Sequence, residues 1–181
     1  MVERKSGDIF TGQSRFGSAI VYAELCIGAE NSGKLSTQVR RLAYEIAEEK
    51  DAEVILIDGP PGVSCPAIAA ATGVNYILFV SEPTLSGVSD LERAMEMARK
   101  LKIPTGVLVN RADINEVLST KIKETTMQAG SDFWGAIPLS SDFVRAARNG
   151  KTVLEETDDD RITSVLTQTW RSLLERFQKW N

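Results

Sequence analysis

Nine consecutive residues, Val54-Ile55-Leu56-Ile57-Asp58-Gly59-Pro60-Pro61-Gly62, constrain the fold of this chain more than any others. Four aliphatic residues in a row, three of them β-branched, are the pattern of a strand buried on both faces of a parallel sheet. The run ends on an aspartate, and the carboxyl end of a parallel strand is where open α/β sheets bind ligands. Pro60 and Pro61 fix φ and lack N–H groups, while Gly59 and Gly62 permit positive φ and close approach of the backbone to a phosphate. Asp58 therefore reads in one of two ways. It is a Walker-B or switch-type carboxylate that holds Mg²⁺ through water, ahead of a γ-phosphate-sensing loop, or it caps a strand-to-helix turn.

Composition narrows the chemistry. The 181 residues are enough for one domain with a buried core, and contain no histidine, which removes Ser-His-Asp and Cys-His catalysis and every histidine metal site. The net charge of −4 argues against a general nucleic-acid binder. Cys26 and Cys65 are too few for a metal cage within one chain and suggest no secreted disulfide scaffold. No apolar run approaches the ~20 residues of a membrane span, and the first residues lack a signal-peptide core. A soluble, cytoplasmic protein is expected.

Taken in order, residues 8–13 and 18–27 are β-rich around the turn Ser14-Arg15-Phe16-Gly17 and predict a hairpin. Leu35, Val39, Leu42, Ala43 and Ile46 then share one helical face. Pro66 suits the first turn of a short helix from Cys65. Residues 76–80, 106–110 and 133–138 read as further strands, the last one short. Leu85, Val88, Leu91, Met95, Ala98 and Leu101 mark a helix between the first two. Residues 115–128 are helical but polar, hence expected at the periphery. Residues 142–148 read as a short helix, and 162–177 as a long amphipathic one. The acidic run 155–160 reads as a solvated loop and cap. Strands alternating with helices require right-handed crossovers and a mostly parallel sheet with helices on both faces. The fold class is thus α/β with an N-terminal β-hairpin. A single nucleotide-binding-type domain over 1–181 is expected, with hairpin and switch-like loop in 1–30, α/β core in 31–154 and a C-terminal helix in 155–181. The ends at Asp58, Glu82, Asn110 and Pro138 should share one edge.

Gly28 to Lys34 satisfies G-x-x-x-x-G-K between a strand and a helix, the setting of a Walker A loop. The next residue should be Ser or Thr to hold Mg²⁺, but it is Leu35, which belongs to the apolar stripe, and Ser36 is rotated ~100° round the helix. A phosphate-adjacent or switch loop, a true phosphate loop and a plain helix cap at Asn31 or Ser32 all remain open.

The order of motifs resembles the MinD/ParA-type P-loop ATPases. Gly-Ala-Glu-Asn-Ser-Gly-Lys-Leu is followed by Ile-Leu-Ile-Asp-Gly-Pro-Pro-Gly-Val-Ser-Cys-Pro, Val-Ser-Glu-Pro-Thr-Leu-Ser-Gly, Val-Leu-Val-Asn-Arg-Ala-Asp and Ala-Ile-Pro. The branch with a ferredoxin-like iron–sulfur insertion is the most similar, and the likeness runs from about residue 7 to 153. The resemblance implies ATP and Mg²⁺ as cofactors. It implies that Asp58 acts on Mg²⁺ and the attacking water, that Gly59 and Gly62 lie in the switch loop, and that Asn110 and the backbone at Pro138 line the adenine pocket. Asn31, Ser32, Gly33 and Lys34 would belong to the first switch or a dimer face. In the related nitrogenase iron protein a cysteine equivalent to Cys65 binds a shared iron–sulfur cluster, but its companion in the preceding loop has no counterpart here. Cys65 is either a packing residue or redox-active and cluster-linked.

The chain departs from the family at one point. The opening strand with its Lys-Gly-Gly-x-Gly-Lys-Thr loop, and the CxxC-rich insertion, do not occur in it. The expectation is a natural split or truncated product, an ATP-binding and ATP-hydrolysing domain that is weakly active or inactive alone. Its partner would be a second copy or a polypeptide supplying the missing strand. One alternative is a non-enzymatic dimerisation or docking module for a redox or iron–sulfur partner. Another is a degenerate P-loop protein using Gly28 to Lys34, where Asn110-Arg111-Ala112-Asp113 approximates the guanine-reading Asn-Lys-x-Asp.

Overall fold

The structure is a computed structural model and describes residues 7–26 and 33–178. It is an α/β architecture divided into two compact units, residues 1–74 and 75–181.

The first unit opens with antiparallel strands β1 (Gly7–Gln13) and β2 (Ala19–Leu25). The turn closes as its residues dictate. Ser14 N–H donates to the Ser18 carbonyl at 2.8 Å, the Ser14 hydroxyl accepts from the Phe16 and Ser18 amides, and Gly17 takes φ 87°. The inward face of β2, with Val21 and Ala23 half-buried, packs on α1 (Lys34–Glu49). Leu35 is the buried anchor of that helix. Helix α2 (Cys65–Ala71) packs against α1 with Pro66 and Ala67 buried in its first turn.

Residues 54–57 correct the expectation of a central buried strand. They pair with no strand among the described residues, and Leu56 is 84% exposed. An aliphatic run becomes a strand only when a neighbouring strand accepts its backbone hydrogen bonds, and none among the described residues does so.

The second unit carries the sheet. Strands β3 (Ile77–Ser81), β4 (Thr105–Val109) and β5 (Asp132–Ala136) are parallel, in the order β3-β4-β5. The central strand is β4, not residues 54–57. Val107 and Val109 are fully buried toward α3 (Leu85–Lys100) and α4 (Glu116–Gln128), in a cluster with Val88, Leu91, Met95 and Ile122. Leu108 points to the other face and packs with Ile137 and Ile162, beside residues of α5 (Asp142–Arg148) and α6 (Asp160–Gln178). Helices therefore cover both faces, as parallel pairing requires.

Helix α4 is less peripheral than its polar sequence suggests, because Ile122 and Thr126 are fully buried. The acidic run is also more than a solvated loop. Glu155 forms a capping box with Thr152, Thr157 is buried, and Glu156 takes ion pairs from Arg145 (3.1 Å) and Lys151 (3.2 Å). Among the described residues no helix is long and apolar enough to cross a membrane.

Candidate functional site

The sheet's carboxyl edge brings together three of the residues marked by sequence: Glu82 after β3, Asn110 after β4 and Pro138 after β5. Backbone bonds tie the three loops. Asn110 N–H donates to the Ser81 carbonyl at 2.8 Å, Ile137 N–H to Val109 at 2.8 Å, and Ala112 N–H to Ile137 at 2.9 Å. The Asn110 side-chain oxygen accepts from the Arg111 amide at 3.1 Å, which folds the carboxamide back over the turn. Arg111 sits in the left-handed region, φ 52°, and its guanidinium reaches Glu82 at 3.3 Å. Both partners are solvent-exposed, so the pair orients the loops more than it stabilises them.

Asp113 has a structural role at this edge that its sequence setting does not disclose. Its Oδ1 accepts the Leu139 amide at 2.7 Å and so clasps the β5 loop to the 3₁₀ turn Ala112–Ile114. In a guanine-reading motif that carboxylate would bind the base, whereas here one of its oxygens is committed to the backbone. The Asn-x-x-Asp spacing singles out Asp113, but not its bond to the Leu139 amide.

Behind this edge, α5 and the acidic run form an ionic clasp. Thr157 donates to Asp142, and Arg145 lies 2.8 Å from the same carboxylate. The Thr157 hydroxyl, followed by Arg145, holds Asp142 below its ordinary pKa, and Lys151, followed by Arg145, does the same for Glu156. Both carboxylates stay ionised near neutrality, and what they contribute is lost as pH falls through the lowered values.

The remaining marked residues lie in the first unit. Asp58 and Gly59 follow the unpaired segment and are exposed, and Gly62 adopts φ 78°. Residues 54–57, which precede them, form no strand. The exposed Asp58 carboxylate fits what Mg²⁺ asks of a protein, one carboxylate acting through water while phosphate oxygens complete the shell. Asn31 and Ser32, with the rest of 27–32, lie outside the described residues.

Gly33 and Lys34 meet Cys65 across a shallow groove of about 560 Å³, also lined by Thr37, Gln38, Ile68 and Ala69. Gly33 precedes α1 at φ 76°, and a Cβ there would lie 3.3 Å from the Cys65 carbonyl oxygen, so the contact between α1 and the start of α2 depends on glycine. Lys34 is exposed at the start of α1, and Leu35 is only 8% exposed. A side chain buried in the α1 stripe cannot double as the hydroxyl ligand of a Walker A loop. Cys65 is free and exposed rather than packed. Among the described residues no three His, Cys, Asp or Glu side chains gather as a metal site, so the donors present do not fit a resident cluster.

Residues 32–174 match the family described as ParA: NUBPL iron-transfer P-loop NTPase. The chain belongs to this family. It is also similar to two uncharacterized proteins of Methanocaldococcus jannaschii. MJ0578 is 32% identical over 116 residues, covering 64% of this chain and 40% of that protein. MJ0579 is 29% identical over 132 residues, covering 73% and 43%. A third relative from the same organism, the uncharacterized ATP-binding protein MJ0823, is 28% identical over 121 residues, covering 65% and 46%. The chain thus spans less than half the length of each of these relatives.

Proposed function

We propose that this chain forms part of an ATP site of a ParA-type ATPase. Asn110 and the backbone at Pro138 receive the adenine, Asp58 acts on Mg²⁺ and the attacking water, and Gly59 and Gly62 belong to the γ-phosphate-sensing loop. The phosphate cradle is supplied by a P-loop strand from another polypeptide segment, so this chain alone is weakly active or inactive. The observation that carries the reading is the buried Leu35 directly after Gly33-Lys34. It speaks against a self-sufficient phosphate loop at this position, in a chain whose family hydrolyses nucleotide through one. The unpaired aliphatic run before Asp58 and the edge strand β3, with Val80 60% exposed, are consistent with a sheet that takes a further strand. The name of the ATP-binding relative and the commitment of Asp113 to Leu139 favour adenine over guanine.

Hydrolysis tests this. The chain alone should show little, addition of a polypeptide carrying the Lys-Gly-Gly-x-Gly-Lys-Thr loop should restore it, and Asp58→Ala should abolish what is restored. Turnover by the isolated chain at the rate of a complete family member would overturn the reading.

The exposed Cys65 favours a second reading, docking to an iron–sulfur partner with the cluster as cargo. One thiolate per chain leaves a shared cluster two ligands short of the usual four, so the partner must supply the rest. This reading predicts association that is indifferent to nucleotide and to Asp58→Ala.

A further inference from the structure

At the sheet's carboxyl edge, the peptide between Pro138 and Leu139 is held differently from its neighbours. Ile137 is tied by backbone on both sides, its N–H donating to Val109 at 2.8 Å and its carbonyl accepting from Ala112 at 2.9 Å. Proline supplies no N–H of its own. The next donor, Leu139 N–H, goes to a side chain, Asp113 Oδ1, at 2.7 Å. Asp113 is itself fixed on the 3₁₀ turn Ala112–Ile114. There Ile114 N–H donates to the Arg111 carbonyl at 3.1 Å, and the Ser119 hydroxyl donates to the Ala112 carbonyl at 2.6 Å. The N–H and C=O of a trans peptide point to opposite sides, and no peptide bond among the described residues is cis. Fixing the Leu139 N–H on Asp113 therefore turns the Pro138 carbonyl away from Asp113. That oxygen has no hydrogen-bond partner among the described residues.

The Asn110 carboxamide is fixed in the complementary sense. Its oxygen accepts the Arg111 amide at 3.1 Å, so its amino group is the end left without a partner among the described residues. The edge thus offers an acceptor at Pro138 and a donor at Asn110, and the N–H that would reverse this polarity is occupied. A 6-aminopurine matches it, with its amino group as donor beside N7 as acceptor. A 6-oxopurine presents two acceptors on the same edge, so its O6 would face the Pro138 carbonyl. We propose, taking Asn110 and Pro138 as the base-binding edge as above, that Asp113 is a positioning residue that sets the base preference. It holds the Pro138–Leu139 peptide so that the carbonyl, and not the N–H, meets position 6 of the purine. Selection of this kind works by rejection, since an oxygen brought against a carbonyl loses its water and gains no partner. Without the carboxylate, the peptide is free to turn over about the Pro138 ψ and Leu139 φ bonds and donate its N–H to O6.

Adenosine and inosine test this, because they differ in the 6-substituent and the protonation of N1, and neither needs a phosphate cradle. Each is titrated to about 10 mM, to register weak binding, into the whole chain labelled with nitrogen-15, and the amide spectrum is followed. Wild type should bind adenosine, moving the amides of Asn110, Arg111 and Leu139. It should bind inosine about tenfold more weakly, the worth of one hydrogen bond. Asp113→Ala should bring the two affinities to within about threefold, by strengthening inosine. Asp113→Asn, which keeps an oxygen acceptor, should retain the wild-type preference. A merely structural role would weaken both nucleosides together and leave their ratio unchanged, and the dispersion of each spectrum reports whether the variant is folded. Adenosine that moves none of these amides would overturn the base-edge reading, and the role of Asp113 with it. Adenosine binding with a ratio that Asp113→Ala leaves unchanged would overturn the role of Asp113 alone. So would an Asp113→Asn ratio that follows Asp113→Ala.

Discussion

Single side chains decide more here than their sequence settings suggest. Leu35 occupies the position where a Walker A loop carries its hydroxyl, and it is buried in the α1 stripe. Leu35→Thr would complete the consensus on paper. It should instead cost stability, about 2–4 kcal/mol for emptying a buried leucine site and burying a hydroxyl, with no gain in ATP affinity, as urea titration and nucleotide binding would show. Tyr76 is a second case. Its hydroxyl donates to Asp132 at 2.7 Å and accepts from the Trp134 indole at 2.7 Å, while Arg176 holds the same carboxylate at 2.6 Å. Burial first, and then the bond to Asp132, push its phenol above the ordinary value of 10.0. Tyr76→Phe should lose about 1–3 kcal/mol by stranding the indole N–H. A raised phenol pKa contributes stability that is fully present below the unfolded value and is lost as pH rises past about 10. Wild type should therefore destabilise in alkali with a slope that Tyr76→Phe lacks. Nothing in the sequence around Tyr76 signals this network, because its members come from β5 and α6, more than fifty residues away.

At the scale of elements, legibility tracks how local the determining interactions are. The hairpin, α3, β3 to β5 and α6 follow from alternation, helical stripes and turn residues within each segment. Residues 54–57 do not, because strand formation there depends on a neighbour that sequence pattern cannot supply. Their amides should exchange with deuterium as fast as loop amides, in contrast to those of β4, whose residues 106–109 are buried. Strong protection of 54–57 in the isolated chain would contradict the structure. Helix α4 is legible as a helix but its hold on the sheet is not, since one buried isoleucine and one buried threonine attach it without a continuous apolar stripe. Of the candidate site, Asn110 and Pro138 were legible from strand ends. The clasp formed by Asp113 was not, because its acceptor role is set by the path of the β5 loop. Asp113→Ala should raise deuterium exchange at the Leu139 amide and cost about 1 kcal/mol or less, since the bond is exposed and water can take the carboxylate's place.

The whole molecule presents two units, and the proposed function draws marked residues from each of them. The chain belongs to the ParA family, and the proposal that it lacks a self-sufficient phosphate loop rests on the buried Leu35. The most direct test is equilibrium binding of a fluorescent ATP analogue, with Mg²⁺, to the 181-residue chain, with GTP competition and Lys34→Ala as controls. The account predicts no saturable micromolar binding by the chain alone. Micromolar binding that is lost in Lys34→Ala would contradict it, by showing that Gly28 to Lys34 is a working phosphate loop.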